Sequence, residues 1–247
     1  MSTEQHSDDY PTHQLRVISH RCQGFGAPAN SKTALCAALS SSAHEVELDF
    51  RLTRDGSFVA AHFPWYRTSR GKFLRVAATT HSRAQDDGLL TLTDALDIIS
   101  EHSSHKGRRL EVKSRGAEEA LLDAVRSRGL SERVTIVSWH SDSLRTLRSL
   151  DPTIRLGYSF LIGVQGGGRM PFTFPSAIPT LLRDRPNPIN SVNIVPSCFA
   201  PTRAFVSDLR GLGVEVFLVT SYGLWGPERV KALGVDGVLT SDPGLFR

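Results

Sequence analysis

The stretch EVELDFRLTRDGSFVAAH, which runs from Glu45 to His62, decides how the fold of the whole chain is interpreted. In its first half apolar and charged residues alternate, so a β-strand would place Glu47 and Asp49 on one face and apolar side chains on the other. The commoner interpretation of this pattern is a strand whose charged face points into water. The residues that follow favour a functional interpretation.

A hairpin is predicted to return a histidine towards these acids. The turn RDG leads into a second, short apolar run that ends on His62. Two other apolar runs also carry reactive side chains: one ends on His20 and Arg21, and a later one carries Glu111 and Lys113. Four apolar runs therefore bring residues of catalytic type.

Apolar, mostly β-branched runs alternate with segments of helical spacing along the chain. The predicted strands are Leu15 to Ser19, Glu45 to Leu52, Arg109 to Lys113, Val134 to Ser138, Ile154 to Tyr158, Ser191 to Val195, Glu215 to Thr220 and Gly237 to Thr240. The predicted helices are Ser31 to Leu39, Thr91 to His102, Ala117 to Arg128, Ser141 to Leu150, Ala177 to Asp184, Thr202 to Leu212 and Pro227 to Leu233. This order predicts an α/β protein, a (β/α)8 TIM barrel with a short hairpin insertion after strand 2. An open doubly wound sheet is the alternative, but no glycine-rich nucleotide-binding motif follows any strand.

The composition is that of a globular chain with a full core. The 247 residues are 40% hydrophobic and 22% charged, and we expect a disordered tail over 1–13 and a single domain over 14–247. The net charge of +4 comes from scattered Lys and Arg, so nucleic acid is not an expected partner. No apolar run could span a membrane, and the first residues lack a signal-peptide pattern. We therefore expect a cytoplasmic protein without a stable membrane anchor, whose oligomeric state is left open.

The three cysteines, Cys22, Cys36 and Cys198, lack the spacing of a metal site and are odd in number. They predict buried thiols rather than a disulfide framework.

The carboxyl ends of the strands in such a barrel form one mouth, and the reactive residues should meet there. Glu47, Asp49 and Glu111 would repel one another unless a cation joined them, and oxygen ligands alone select Mg²⁺ or Ca²⁺. With a divalent cation, Arg21 and Lys113, the set carries a single positive charge, which a phosphodiester monoanion would neutralise. Histidines can exchange protons at neutral pH. The residues thus indicate a metal-assisted reaction on a small-molecule phosphodiester.

The motifs resemble those of the glycerophosphodiester phosphodiesterase family, within the phosphatidylinositol-phosphodiesterase-like TIM barrel superfamily, over nearly the whole chain. They read His20-Arg21-Cys22, Pro28-Ala29-Asn30-Ser31, Glu47-Leu48-Asp49, Thr53-Arg54-Asp55-Gly56, His62, Glu111-Val112-Lys113 and, near the end, GVDGVLTSDP from Gly234 to Pro243. The resemblance implies hydrolysis of glycerophosphodiesters to glycerol 3-phosphate and an alcohol.

The resemblance also implies a role for each residue of the set. A divalent cation would be held by Glu47, Asp49 and Glu111, His20 and His62 would act as acid and base, and Arg21 and Lys113 would bind the phosphate. Trp65, Tyr66, Phe73, Phe172 and Phe174 are expected to form an apolar wall for the alcohol or acyl group.

The chain departs from the family pattern at several positions, three of which lie in or beside the site motifs. Cys22 stands in place of a glycine, Ala29 in place of a glutamate, and Phe63 where aspartate is usual. Two other functions therefore stay open. One is a lysophospholipase D activity like that of the sphingomyelinase D group, and the other is a non-catalytic relative that binds phosphodiesters.

Overall fold

The computed structural model describes residues 14–102, 106–162, 189–196, 200–220 and 225–246. In chain order the strands are β1 (Arg16–Ser19), β2 (Glu45–Leu52), β3 (Phe58–Ala60), β4 (Trp65–Arg67), β5 (Phe73–Arg75), β6 (Gly107–Val112), β7 (Val134–Ser138), β8 (Arg155–Ile162), β9 (Ser191–Pro196), β10 (Glu215–Val219) and β11 (Gly237–Thr240). Eight of them are parallel and hydrogen-bonded in the order β1-β2-β6-β7-β8-β9-β10-β11, and β11 pairs with β1 to close the sheet. The predicted (β/α)8 barrel is confirmed, and each of its eight predicted strands is present.

Six of the seven predicted helices are present in the described residues, together with a further helix over His81–Asp86 that was not predicted. They are α1 (Lys32–Ser40), α2 (His81–Asp86), α3 (Leu92–Glu101), α4 (Glu118–Arg126), α5 (Ser141–Leu150), α6 (Arg203–Gly211) and α7 (Pro227–Leu233), with a final 3-10 turn over Pro243–Phe246. The helices α1, α3 and α6 are capped by the side chains of Ser31, Thr91 and Thr202, each of which accepts a backbone N–H three residues on. The tail 1–13 and the helix expected near 177–184 lie outside the described residues.

Strand β2 shows how the alternating pattern is used. Its apolar residues belong to the core shared with the helices, whereas Glu47 and Asp49 are completely buried on the opposite face, inside the barrel. The solvated-face interpretation is therefore wrong. Closure of the sheet turns the charged face of the strand into an interior wall.

An ion pair lies at the amino-terminal end of β2. The Arg109 Nε is 2.7 Å from Glu45 Oε2, and both side chains are buried. Burial raises the pKa of Glu45, but Arg109 outweighs burial and holds that pKa below its usual value. The Arg109 guanidinium also lies 3.8 Å from the centre of the Phe217 ring. The ion pair therefore lies on the side of Glu47 and Asp49 that is away from the carboxyl ends of the strands.

The segment between β2 and α3 forms the predicted hairpin, a second hairpin and a short helix. Strand β3 pairs antiparallel with the end of β2, as predicted, and its next residues deliver His62. Strands β4 and β5 then form a second antiparallel hairpin, followed by α2. No strand is predicted here after His62, because three-residue strands carry too little alternation to be recognised. None of the helices in the described ranges has the length and apolarity needed to cross a membrane.

Candidate active site

All seven predicted site residues lie in one contact network at the carboxyl end of the barrel. They are His20, Arg21, Glu47, Asp49, His62, Glu111 and Lys113. The network forms because β1, β2, β3 and β6 are neighbours in the sheet.

Three buried carboxylates form the centre of the site. One oxygen from each of Glu47, Asp49 and Glu111 lies within 4.8 Å of the others. Burial, together with the charges of Asp49 and Glu111, raises the pKa of Glu47 well above its usual range. The Glu47 Oε1 atom is buried and accepts no hydrogen bond. A buried acceptor without a partner lowers the stability of the fold unless a cation binds there. The cluster fits a divalent cation held by oxygen ligands.

Lys113 lies between two of these acids. Its Nζ atom is 2.9 Å from Glu111 Oε1 and 3.0 Å from Asp49 Oδ1. Burial lowers the pKa of Lys113, but the two carboxylates outweigh burial and raise it to about 12. The ammonium is therefore charged at neutral pH and can attract an anionic substrate.

Trp139 completes the Glu111 side of the site and was missed by the sequence analysis. Its indole Nε1 donates a hydrogen bond to Glu111 Oε1, and its ring centre lies 5.5 Å from Lys113 Nζ. Trp139 directly follows β7, so its place at the end of a barrel strand was the signal that could have found it.

His62 is oriented by Asp49. The His62 Nδ1 is 3.1 Å from Asp49 Oδ2, and its Nε2 is 3.1 Å from Arg21 Nη2. A proton on Nδ1 and a lone pair on Nε2 satisfy both contacts. Burial raises the pKa of Asp49, but Lys113 and then His62 outweigh it and hold that pKa well below its usual range.

His20 is more deeply buried than His62. Its Nε2 lies 3.8 Å from Glu47 Oε2. Burial, followed by the charge of Arg21, lowers the pKa of His20 to about 3. The imidazole is therefore neutral over the physiological range, as a proton acceptor must be.

The turn after β1 brings the chain close to the acids. Arg21 and Cys22 both have left-handed backbones, with φ of 55° and 54°, a conformation that favours glycine. This explains why a glycine suits the position of Cys22. The turn allows the Arg21 N–H to donate to Glu47 Oε2 at 2.7 Å. The Cys22 thiol is buried in the core as predicted, whereas Cys36 is exposed and Cys198 lies outside the described residues.

Asn30 clamps Asp49 from both ends. The Asn30 Nδ2 donates to Asp49 Oδ2 at 3.0 Å, and the Asp49 N–H donates to Asn30 Oδ1 at 3.0 Å. The Asn30 N–H in turn donates to the Arg21 carbonyl. Asn30 belongs to a quoted motif but is not among the predicted site residues, because its partners lie in other elements.

Arg51 fixes the backbone at His62 and was also missed. Its Nε and Nη2 donate to the His62 carbonyl at 2.9 and 2.8 Å. The alternation of β2 was the signal, since Arg51 shares a face with Glu47 and Asp49.

A cleft of about 740 Å³ opens beside Arg21 and His62. Phe63, Trp65 and Tyr66 line it, so two of the five residues expected to form an apolar wall do so. Phe73 is not among the lining residues and is 70% exposed. Phe172 and Phe174 lie outside the described residues.

The fold and the site together define a class: a (β/α)8 barrel whose mouth holds a buried carboxylate cluster, two histidines and two cations. A scan of protein families finds no match to the chain. The glycerophosphodiester phosphodiesterase of Caldanaerobacter subterraneus subsp. tengcongensis is 26% identical over 245 residues, covering 92% of this chain and 94% of that protein.

Solved structures show the same barrel. A glycerophosphodiester phosphodiesterase from Thermotoga maritima matches with a TM-score of 0.68 at 24% identity, covering 95% of this chain and 97% of that one. An Oleispira antarctica phosphodiesterase in complex with the product sn-glycerol-3-phosphate matches with a TM-score of 0.67 at 23% identity, covering 94% and 95%. The predicted resemblance is confirmed. The chain is thus similar over nearly its whole length to proteins named glycerophosphodiester phosphodiesterase, a class of phosphoric diester hydrolases.

Proposed function

We propose that this protein is a metal-dependent phosphodiesterase that cleaves glycerophosphodiesters to glycerol 3-phosphate and an alcohol. One observation carries the proposal: three buried carboxylates lie within 4.8 Å of one another and are flanked by two histidines and two cations. The names of the relatives, and the glycerol phosphate product bound to one of them, support the same chemistry.

The cation would be Mg²⁺ or Ca²⁺, held by Glu47, Asp49 and Glu111. When bound, it would polarise the phosphoryl group and neutralise developing negative charge. Arg21 and Lys113 would bind the phosphate oxygens, because both carry cationic side chains that reach the Asp49 carboxylate from opposite oxygens.

The two histidines take different parts. His20, which is neutral because of its low pKa, accepts the proton of the attacking glycerol hydroxyl. His62 lines the cleft, where the alcohol would lie, and its contact with Asp49 orients the ring towards that cleft. His62 therefore donates a proton to the leaving oxygen as the bond from phosphorus to the alcohol breaks. Attack by the glycerol hydroxyl and departure of the alcohol leave a cyclic glycerol phosphate. Water then opens this ring, with the two histidines in reversed roles.

The test is a panel of glycerophosphodiesters and lysolipids, assayed for glycerol 3-phosphate by a coupled enzyme. We expect turnover that depends on Mg²⁺ or Ca²⁺, and turnover lower by about 10² or more in a His20→Asn variant prepared in the same way. Protein that binds the cation but turns over none of the panel would instead be the non-catalytic relative.

A lysophospholipase D activity is the second candidate. It is favoured by exposed aromatic side chains at the rim of the cleft, Phe63 and Trp65, which suit an acyl chain better than a small alcohol. Release of free headgroup without glycerol 3-phosphate would identify it.

We further infer that residues 14–247 form one domain. The support is the pairing of Arg16 with Gly237 in the closing strands of the barrel, which joins the two ends of this range. A cytoplasmic location stays a prediction.

A further inference from the structure

The second hairpin presents an exposed surface of aromatic and cationic side chains. We call it the hairpin surface, and its members are Phe63, Trp65, Arg67, Arg70, Lys72, Phe73 and Arg75. Among the described residues, it holds three of the five large hydrophobic side chains that are exposed, namely Phe63 at 56%, Trp65 at 52% and Phe73 at 70%.

The register of the hairpin explains why these aromatics stay exposed. Trp65 pairs with Arg75, and Arg67 pairs with Phe73, so both aromatics and both cations stand on one face. The other face carries Tyr66, which packs against a small buried cluster. The hairpin is thus anchored by one face and offers the other to a partner.

Along the chain, the hairpin and the residues next to it carry charge of one sign, and the acid that contacts the hairpin, Asp87, lies on its Tyr66 face. Residues 57–85 contain Lys and Arg but no Asp or Glu. The partner that fits is therefore anionic. Exposed aromatics among cations are typical of a segment that lies at the interface of an anionic bilayer.

The hairpin surface is continuous with the site. The Phe63 ring meets the His62 ring edge-on with centres 4.7 Å apart, and it stacks on Trp65 at 6.4 Å and 8°. Phe63 and Trp65 also line the cleft. A bilayer in contact with this surface would therefore lie at the entrance of the cleft.

We propose that the hairpin surface binds reversibly to anionic phospholipid membranes. The aromatic rings enter the headgroup region, and the four cations meet the lipid phosphates. The contact is peripheral and small. If the second candidate of the proposed function, the lysophospholipase D activity, holds, the contact presents the cleft to lysolipids that leave the bilayer only partly.

Vesicle co-sedimentation tests the proposal without any assay of turnover. We expect binding to vesicles of phosphatidylcholine with about one third phosphatidylglycerol, weakened by salt, and little binding to phosphatidylcholine alone. Each cation near the surface contributes about fivefold, so Arg70→Gln with Lys72→Gln should weaken binding roughly 25-fold. Phe73→Ser should weaken it by about tenfold. The matched control Arg203→Gln with Lys231→Gln removes the same charge from other exposed positions and should bind like wild type.

Fluorescence locates the contact. Trp65 is 52% exposed, whereas Trp225 is 6% exposed and Trp139 lies in the site. Brominated lipid should quench the fluorescence of the wild type, and Trp65→Phe should abolish that quenching while still sedimenting with vesicles.

Three outcomes would overturn the proposal: no vesicle binding, equal loss of binding in the control and hairpin variants, or quenching that persists in Trp65→Phe. Binding of an oligonucleotide, or self-association through Phe73, in the absence of vesicle binding would assign the surface to another partner. The Phe73→Ser variant should keep wild-type turnover of a water-soluble glycerophosphodiester. Failure of the membrane proposal is therefore distinguishable from failure of the proposed function.

Discussion

The two hydrogen bonds between Asn30 and Asp49 allow a test that separates the positioning of Asp49 from the stability of the fold. Asn30→Gly removes both side-chain hydrogen bonds to Asp49 but keeps a residue that adopts φ of 57° without strain. Asn30→Ala removes the same bonds and adds strain of about 1 kcal/mol in the left-handed region. The two variants should therefore differ in stability by that amount and differ little in activity.

The size of the effect follows from the two lost bonds. One joins neutral groups and is worth about 1 kcal/mol, and the other ends on a carboxylate and is worth about 2 kcal/mol. We therefore expect Asn30→Gly to unfold with a free energy lower by about 3 kcal/mol. Substitution of a residue that orients a metal ligand typically lowers metal affinity or activity by about 10- to 100-fold. We expect Asn30→Gly to lower kcat/KM by a factor in that range.

Urea unfolding, cation titration and turnover measure the three quantities. Leu209→Ala is the control. Truncation of this buried leucine in α6 should lower the free energy of unfolding by about 2–5 kcal/mol, which is similar to the loss expected for Asn30→Gly, and it leaves the site unchanged. Wild-type cation affinity and turnover in Asn30→Gly would refute the assignment of Asn30 as a positioning residue. An equal loss of activity in Leu209→Ala would show that stability alone is measured.

Three other predictions concern the cation, the histidines and the ion pair below the site. Excess chelator should abolish turnover, and Mg²⁺ or Ca²⁺ should restore it. Glu111→Gln should weaken cation affinity and leave the circular dichroism spectrum unchanged. Full activity in chelator would remove the metal from the proposal. His20→Ala and His62→Ala should each lower kcat by about 10² to 10⁴, and the double variant should be little worse than the poorer single one; partial recovery on a p-nitrophenyl diester should occur only in His62→Ala, because that leaving group needs no proton. In the folded protein the pKa of Glu45 lies below its usual value. The pairing with Arg109 therefore stabilises the fold at pH values above the pKa that Glu45 has in the unfolded chain. This stabilisation is lost as the pH falls through the pKa of Glu45 in the folded protein. Urea unfolding across that range should show a shallower loss of stability in Glu45→Gln, and equal slopes would contradict the pairing.

The barrel and its reactive residues could be predicted from the sequence because both depend on local periodicity. Alternation from Glu45 to Arg51 marks a strand, and the order of strands and helices limits the topology to a few choices. Placement of Glu47, Glu111 and His20 at one mouth then follows from the common direction of parallel strands. Their chemical roles stay predictions that the proposed experiments test.

Tertiary structure alone decided that the charged face of β2 is buried as well as the apolar face. The same alternation suits a solvated strand, and only the pairing of β1 with both β2 and β11 encloses Glu47 and Asp49. Contacts between elements distant in the chain also bring Asn30 to Asp49 and Trp139 to Glu111. Such contacts leave no periodic signal, because each depends on where two separate backbones meet in space.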